Sequence, residues 1–226
     1  LANVTAATSD WNAVSGHDGA EFVLAVDERG APVPGRVMKV QGAALAAPVV
    51  LETLRDPQIL EKVRMLYGSL GRPRKAGVDI FGTKIFPVWP GGSSVSWHQD
   101  GHYFGTASTQ IISVAVYLEE TTRENGCLRV IPGSHLGGVA AHHPGEGADA
   151  QGEWAAPDEQ QAEDVEVHAG SVVLFNSMLM HGAHKNRSEK RTRFSLFGHF
   201  VPRELSFEWR GTDFSSGVYP DRHAMY

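Results

Sequence analysis

The sequence has 226 residues, of which 42% are hydrophobic, and this is enough to bury the core of one domain. Its formal net charge is -6, from 26 acidic and 20 basic residues, which argues against nucleic acid as a partner. Cys127 is the only cysteine, so the sequence offers no disulfide framework and no thiolate metal cluster. No apolar run approaches the roughly 20 residues that span a bilayer, and the first residues lack the pattern of a signal peptide. We therefore expect a cytoplasmic protein that binds neither nucleic acid nor membranes, and the oligomeric state stays open.

The N-terminal part of the single expected domain, residues 1–76, is predicted to form mostly helical and loop support. Residues 43–67 carry apolar side chains at helical spacing, with interruptions at Pro48 and Pro57. Gly68 follows as the expected helix cap. These features indicate a helical layer that supports the rest of the domain and contributes nothing to an active site.

From residue 77 to residue 201 the pattern changes to short β-rich runs separated by glycine, proline, asparagine and serine. The runs are VDIFGTKIFPV, TQIISVAVYL, CLRVIPG, VEVHAG, SVVLFN and RFSLFGHFV. Many short strands with turn signals predict a mainly β fold, either a sandwich or a barrel. Residues 137–163, rich in glycine, alanine and acidic side chains, interrupt the pattern and are a candidate lid loop.

His98 and Asp100 stand two residues apart in SVSWHQDGHYF, at the end of an alternating run. In a strand, residues i and i+2 point to the same face, so an imidazole and a carboxylate would project together into one cavity. The pair alone is a weak signal, because the triplet His-x-Asp often occurs by chance.

His181 supplies the third candidate metal ligand, since it follows an apolar strand and a turn in SVVLFNSMLMHGAHKNRSEK. Two imidazoles and one carboxylate on one side of a metal, with the opposite positions open, are typical of non-haem iron(II) oxygenases. His184 lies only three residues further along the chain. It begins the polar stretch HKNRSEK and is therefore expected to lie in a solvated turn, away from the metal.

Arg193 begins the alternating strand RFSLFGHF and shares one predicted face with Ser195, Phe197 and His199. An arginine that points into a cavity needs an anion, and a bidentate guanidinium–carboxylate pair is the strong way to supply one. Ser195 is placed to donate a further hydrogen bond. This strand therefore indicates a carboxylate-binding position near the candidate metal ligands.

Four blocks occur in an order and spacing that are far more specific than any single motif: LRDPQILEKVRMLYG, WHQDGHYF, NGCLRVIPGSH and residues 181–193. In these blocks the chain resembles the phytanoyl-CoA dioxygenase family of iron(II)- and 2-oxoglutarate-dependent oxygenases. The resemblance implies a double-stranded β-helix, the cupin-like jelly roll, with flanking helices and with its core in residues 77–201. It also implies that His98, Asp100 and His181 bind Fe(II) and that Arg193 holds the distal carboxylate of 2-oxoglutarate.

The candidate ligands of 2-oxoglutarate are then Arg193, Ser195 and Lys84. Lys84 lies on the strand before the metal motif, and its long side chain either approaches the co-substrate or extends to solvent, the position that we favour. In the family the clamping arginine lies about one residue nearer the second histidine ligand, so Arg191 is a rival to Arg193. The apolar strand that follows Arg193 favours Arg193.

Several residues near the motif have two readings. His102 and Tyr103 follow the metal motif and are candidates for the substrate pocket, with packing at the base of the loop as the alternative. Trp97 is offset by one residue from the ligand face and is expected in the core. His142 and His143 are adjacent in the lid loop and are expected to be exposed, because successive side chains diverge.

The resemblance implies an enzyme that hydroxylates an unactivated C–H bond of a small-molecule metabolite, using O₂ and releasing succinate and CO₂ from 2-oxoglutarate. Desaturation, epoxidation and rearrangement are alternatives within the same fold, and a non-redox cupin-like metal enzyme or a binding module is an alternative from another class. A halogenase of this fold would lack the carboxylate ligand, so Asp100 argues against it. Arg193 and Ser195 on one inward face argue against a simple binding module.

Overall fold

The computed structural model describes residues 19–26, 32–73, 76–144 and 153–226. Two antiparallel sheets dominate these residues. The larger sheet contains β1 (Glu21–Val26), β2 (Pro32–Gln41), β3 (Val78–Val88), β5 (Ile112–Tyr117), β10 (Val172–Asn176), β12 (Arg193–Pro202) and β15 (Arg222–Ala224). Its strands are hydrogen-bonded in the order β1-β2-β3-β12-β5-β10, and β15 pairs with β3.

The smaller sheet has the order β4-β11-β6-β9. Its strands are β4 (Val95–His98), β6 (Leu128–Val130), β9 (Glu163–Val165) and β11 (His181–Ala183). Two further pairs of short strands are β7 (His143–Pro144) with β8 (Glu153–Trp154) and β13 (Glu208–Trp209) with β14 (Thr212–Asp213).

The chain alternates between the two sheets as it runs from β3 to β12. Strands β3, β5, β10 and β12 belong to the larger sheet, and β4, β6 and β11, which lie between them in sequence, belong to the smaller one. This winding is that of a double-stranded β-helix, so the predicted mainly β jelly roll is confirmed.

Three helices, α1 (Ala43–Ala46), α2 (Pro48–Leu54) and α3 (Pro57–Ser69), cover the outer face of the larger sheet. Each proline begins a helix, where its missing N–H leaves no hydrogen bond unmade. Asp56 caps α3 by accepting a hydrogen bond from the Gln58 amide at 2.8 Å. The core between helices and sheet includes Val50, Leu54, Leu60, Val63, Ile80, Val114, Leu196 and Phe200.

Two predictions about the elements were wrong. Gly68 does not cap the helix: α3 continues to Ser69, and Gly71 is the glycine with a left-handed φ of 77°. Strands β1 and β2, which were not predicted, lie within residues 1–76, although helices and loops make up most of the described residues there. The run VEVHAG contributes only Val165 to β9 and a single bridge at Val167, since the strand begins earlier, at Glu163.

The candidate lid, residues 137–163, lies partly outside the described residues. Its described part contains the end of a 3-10 turn (Ser134–Gly137), strands β7 and β8, a second 3-10 turn (Glu159–Gln161) and the first residue of β9. In the described ranges of the chain, no helix is long and apolar enough to cross a membrane.

Candidate active site

His98, Asp100 and His181 meet where the smaller sheet joins a short helix. His98 ends β4, Asp100 begins α4 (Asp100–Tyr103), and His181 begins β11. The antiparallel register places His181 directly opposite His98. The Nε2 atoms of His98 and His181 each lie 3.8 Å from a carboxylate oxygen of Asp100, and the three ligand atoms all lie within 4.8 Å of one another. The predicted ligands therefore converge on one point.

Backbone carbonyls set the orientation of both imidazoles. His98 Nδ1 lies 2.8 Å from the Ser96 carbonyl, and His181 Nδ1 lies 2.9 Å from the Leu179 carbonyl. A carbonyl only accepts, so each Nδ1–H donates and each Nε2 keeps its lone pair for the centre. Burial lowers the pKa of His181 to about 4, which keeps this imidazole neutral at pH 7 and available as a ligand.

Asp100 is held as a carboxylate by its surroundings. Burial alone would raise its pKa, but the interactions with His181 and His199, and with His98 and Lys84, hold the pKa well below its ordinary value. The Ser113 hydroxyl donates to Asp100 Oδ2 at 2.6 Å. Two neutral imidazoles and one carboxylate, all presented to one point, match the donor set that Fe(II) takes in non-haem oxygenases.

A chain of buried polar groups leads away from Asp100. Because the single Ser113 proton goes to Asp100, His199 Nδ1, which lies 3.0 Å from Ser113 Oγ, must donate to this oxygen. His199 Nε2 is then an acceptor, and the Lys84 amine lies 3.1 Å from it. Sequence reasoning gave Ser113 and His199 no role, although the strand alternation put His199 on the inward face.

An open cavity lies beside the three ligands, between the two sheets, and encloses ≈ 620 Å³ together with its mouth. Its wall includes the side chains Lys84, Phe86, Val88, Val95, His98, Asp100, Tyr117, Leu128, His181, Arg193, Phe197 and His199. Lys84 therefore lies in the cavity wall, where a ligand of 2-oxoglutarate would have to be. The solvent position that we favoured from the sequence was wrong. Burial lowers the pKa of the Lys84 amine.

Arg193 is the notable charge in this cavity, because it is only 4% exposed and forms no ion pair within the described residues. Its Nη1 donates to Ser195 Oγ at 2.9 Å, and its Nε has no hydrogen-bond partner there. The guanidinium carbon lies 5.8 Å from the ring centroid of Tyr117, whose buried hydroxyl also lacks a partner in the described part of the chain. A buried cation and two unused polar atoms fit a carboxylate ligand, and 2-oxoglutarate has one at its distal end.

Tyr117 was not selected from the sequence, although a signal for it was present. It lies four residues after Ser113 in β5, so the two side chains share the inward face. Arg191, the rival of Arg193, is different: its side chain is 46% exposed and pairs with Glu120 and Glu124 in the charged turn. The geometry therefore favours Arg193 as the clamp.

The other histidines are placed as follows. His184 points away from the ligands and hydrogen-bonds to Asp164 at 2.7 Å, but its side chain is only 15% exposed, so the solvated turn was wrong. His143 is exposed, whereas His142 is half-buried and stacks on His102 at 3.9 Å between ring centroids, contrary to expectation. Helix α4 places the His102 ring beside His142, and this stacking partly buries His142 although its neighbour His143 is exposed.

Tyr103 and Trp97 both lie near the candidate ligand His98, Tyr103 through a ring contact and Trp97 as its neighbour in β4. The Tyr103 ring lies 5.6 Å from the His98 ring and 5.8 Å from the Trp209 ring. Neither His102 nor Tyr103 is part of the wall of the described cavity, and their substrate role stays a prediction. Trp97 is 9% exposed and packs in a small apolar cluster, as its offset from the ligand face indicated.

Comparison with known proteins decides the family. A family model described as Phytanoyl-CoA dioxygenase (PhyH) matches residues 27–195. The chain belongs to the phytanoyl-CoA dioxygenase family. The match begins in the N-terminal part of the chain and ends at Ser195, the hydrogen-bond partner of Arg193, so it includes all three candidate metal ligands.

Members of the phytanoyl-CoA dioxygenase family are recognisable among curated proteins. The "Probable alpha-ketoglutarate-dependent hypophosphite dioxygenase" of Stutzerimonas stutzeri is 26% identical over 167 residues, covering 71% of this chain and 56% of that protein. "Phytanoyl-CoA dioxygenase 1" of Oryza sativa subsp. japonica is 31% identical over 149 residues, covering 65% and 52%. The chain spans about half the length of the curated relatives it matches.

Solved structures share the fold. EctD from S. alaskensis, crystallised with 2-oxoglutarate and 5-hydroxyectoine, superposes with a TM-score of 0.62 at 22% sequence identity, covering 92% of this chain and 69% of that one. This likeness extends beyond the family-model match and includes the larger part of both sheets. It supports the jelly roll as the fold of the chain.

Proposed function

We propose that this chain is a mononuclear non-haem iron(II) enzyme that consumes 2-oxoglutarate and O₂ to hydroxylate a C–H bond of a small-molecule metabolite. The observation that carries the proposal is the pairing of two sites in one cavity. Three side chains present two imidazoles and one carboxylate to one point, and a buried arginine beside them lacks an anionic partner among the described residues. Relatives named as 2-oxoglutarate-dependent and phytanoyl-CoA dioxygenases support it.

One group of residues in the site would bind the metal, and another would bind the co-substrate. His98, Asp100 and His181 would hold Fe(II), and Arg193 with Ser195 would hold the distal carboxylate of 2-oxoglutarate. Tyr117 adds a hydroxyl beside the guanidinium, and Lys84 lies on the neighbouring strand of the same cavity wall, next to His199. When bound, Fe(II) supplies the O₂-activating redox chemistry that couples conversion of 2-oxoglutarate to succinate and CO₂ with oxidation of the substrate.

The charges of the site agree with this division. Fe(II), the Asp100 carboxylate, the dianion of 2-oxoglutarate and the Arg193 guanidinium together carry no net charge, and burial lowers the pKa of the Lys84 amine beside them, which favours its uncharged form. A neutral set is the one that a cavity between two apolar layers accommodates at least cost, because an unbalanced buried charge is strongly penalised. Without an anion the buried Arg193 would be uncompensated. This feature has no use in a simple binding module or in a metal site without a co-substrate.

The side chains of the cavity also keep the reacting groups in place and dry. Ser113 holds one oxygen of Asp100, and the carbonyls of Ser96 and Leu179 fix the two imidazoles. Phe86, Val88 and Phe197 line the same cavity and exclude water from it. Orientation by these groups leaves one side of the metal position for the co-substrate and the substrate.

The test is co-substrate turnover by the purified chain. With Fe(II), ascorbate and 2-oxoglutarate, we expect slow formation of succinate even without substrate, and faster formation when a screened metabolite is accepted. Asp100→Ala should abolish both, because the site loses the one protein charge that balances the metal. Binding of Fe(II) without any 2-oxoglutarate-dependent succinate would contradict the proposal and favour a non-redox metal enzyme. Product mass then separates hydroxylation from desaturation, epoxidation and rearrangement.

A further inference from the structure

Gln99 stands between the two ligands of the metal motif, and its side chain is 1% exposed. Its backbone is extended, with φ -117° and ψ 127°. Because successive side chains of an extended segment alternate, Gln99 points away from the side on which His98 and Asp100 meet. The residue is therefore buried behind the site and cannot touch the metal position.

The side-chain amide of Gln99 makes three hydrogen bonds to backbone groups. Its Nε2 donates to the Gly138 carbonyl at 2.9 Å and to the Met178 carbonyl at 2.7 Å. Its Oε1 accepts from the Ala140 amide at 2.8 Å. Gln99 thus joins the first ligand pair to the turn that precedes His181 and to residues 138–142, which we call the anchored segment.

His142 attaches the far end of the anchored segment to the same motif. Its Nδ1 lies 2.9 Å from the Ala140 carbonyl and must donate there. Its Nε2 is then an acceptor and takes a hydrogen bond from the backbone N–H of Gln99 at 3.1 Å. Its ring also stacks on His102, at 3.9 Å between centroids and 3° between planes. Both ends of the anchored segment are therefore tied to residues adjoining the ligands.

Apolar packing also joins the anchored segment to the residues next to the candidate ligands. Ala140 packs against the cluster that contains Trp97 and Met180, and these two residues directly precede His98 and His181. Ala155, on the returning side of the loop, is buried in this cluster, and its amide donates to the Trp97 carbonyl at 2.7 Å. The anchored segment therefore packs against the residues that directly precede the two candidate histidine ligands.

We propose that Gln99 is a positioning residue that couples the order of the anchored segment to occupation of the metal centre. A metal fixes the His98–Asp100 pair relative to the turn before His181. Gln99 belongs to the first of these parts, and its two N–H groups donate to Met178 in the turn and to Gly138 in the anchored segment. Both hydrogen bonds can therefore form together only while the pair and the turn keep this separation. By linkage, a segment that metal binding orders must in turn strengthen metal binding by the same factor. This inference rests on the proposed metal centre.

The experiment is hydrogen exchange of the full chain, followed by mass spectrometry, with and without Mn(II). Mn(II) avoids O₂ chemistry, and its affinity is measured in the same samples. In the unmodified chain we expect Mn(II) to slow exchange in residues 138–142 about tenfold, a typical size for coupling between two sites. In Gln99→Met, which keeps the length of the side chain and removes its hydrogen bonds, the slowing should largely vanish and Mn(II) affinity should fall about tenfold.

Gln161→Met is the matched control, because Gln161 is exposed in the same loop and its side chain donates to the exposed Asp158. It should leave the slowing and the affinity unchanged. His142→Phe is a second variant that keeps a ring beside His102 and removes the acceptor for the backbone N–H of Gln99. It should weaken both readouts in the same direction, and it carries the test if Gln99→Met does not fold.

The outcomes separate the two proposals. If the unmodified chain does not bind Mn(II), or if His98→Ala leaves Mn(II) binding intact, the proposed metal centre is wrong. If Mn(II) binds at this centre but exchange in residues 138–142 does not change, the coupling is wrong while the metal centre stands. Full metal-dependent slowing in folded Gln99→Met also overturns the coupling, because a merely structural glutamine would alter exchange equally with and without metal.

Discussion

Arg193 is the side chain on which the co-substrate assignment depends, and it has a natural control two residues away. Arg193→Leu should leave metal affinity nearly unchanged and raise the 2-oxoglutarate concentration needed for half-maximal succinate formation at least about tenfold. A lost charge-assisted pair costs about 1.5–3 kcal/mol, and each 1.4 kcal/mol is a factor of ten. Arg191→Leu removes an equal charge from a half-exposed side chain and should have little effect. A large effect confined to Arg191 would move the clamp into the charged turn.

Ser113 offers a second prediction at the level of single side chains. Ser113→Ala removes the 2.6 Å hydrogen bond to Asp100 Oδ2 and leaves the buried Nδ1–H of His199 without its acceptor. Groups that orient a metal ligand typically contribute about tenfold to 100-fold in metal affinity. We therefore expect Mn(II) affinity to fall by about tenfold or more in a competition titration. Ser69→Ala, at an exposed serine at the end of α3, should titrate like the unmodified chain. Equal affinity in the two variants would show that Asp100 needs no such support.

The residues of the site differ in how far the sequence could predict them. Alternation placed His98 with Asp100 and put Arg193 on the inward face of its strand, because both statements need only the period of one strand. Ser113, Tyr117 and Gln99 were missed, since their partners come from other strands or from the anchored segment. No local pattern records which residue lies opposite which across a sheet. That register exists only in the folded chain.

At the scale of elements, the pairing of β3 with β12 forms one wall of the cavity. The two strands are in register except for a shift between Phe197 and His199, opposite Gly82. Gly82 has φ 59°, and a Cβ at this position would lie 3.2 Å from the His199 ring. The irregularity therefore brings His199 against the backbone of β3, beside Lys84.

Replacement of glycine by alanine should change the stability of the fold in opposite directions at Gly82 and at Gly68. Gly82→Ala should destabilise the fold by about 1–2 kcal/mol, because an L-residue is strained at this φ and the methyl group crowds His199. Gly68→Ala, inside α3 with no atom within 4 Å of the new Cβ, should stabilise it by up to about 1 kcal/mol. Urea unfolding of both variants measures the two changes. Destabilisation by Gly68→Ala, or none by Gly82→Ala, would contradict this account of the two positions.

The sequence predicted elements well where periodicity was strong and poorly where it was not. VDIFGTKIFPV and RFSLFGHFV match β3 and β12 almost residue for residue. Strand β2, PVPGRVMKVQ, has two prolines, a glycine and two cations, so its sequence resembles a loop even though it pairs with β1 and β3. Tertiary pairing outweighed its weak local preference for a strand.

At the scale of the whole molecule, the C-terminal residues close the larger sheet. Strand β15 pairs with β3, and its Arg222 is buried against Asp79 at 3.1 Å. Arg203, which follows β12, approaches the same carboxylate at 2.8 Å. Arg222 also donates to several backbone carbonyls around it. The sequence gave no indication of this arrangement, because it joins charged residues more than a hundred positions apart.

The stability of the whole fold should therefore depend on Asp79. Burial raises the pKa of Asp79, but hydrogen bonds from Arg203, Ser216 and Arg222 outweigh it and bring the pKa below its ordinary value. Asp79→Asn should lower the free energy of unfolding at pH 7 by about 3 kcal/mol, since removal of one partner leaves Arg222 buried without its counter-charge. Asp158→Asn, at an exposed carboxylate with a lowered pKa, is the control and should leave stability unchanged within error.

The dependence of this difference on pH follows from the direction of the shift. A carboxyl group with a depressed pKa in the folded chain binds fewer protons there than in the unfolded chain, so its stabilisation is complete above the unfolded pKa of about 3.9. It is lost as the pH falls through the lower, folded pKa. The gap in unfolding free energy between the unmodified chain and Asp79→Asn should stay constant from pH 7 to about pH 5 and narrow below about pH 4. Urea titrations at fixed ionic strength across this interval measure the gap, and a gap that widens toward acid pH would show that Asp79 is not stabilised as a carboxylate in the folded chain.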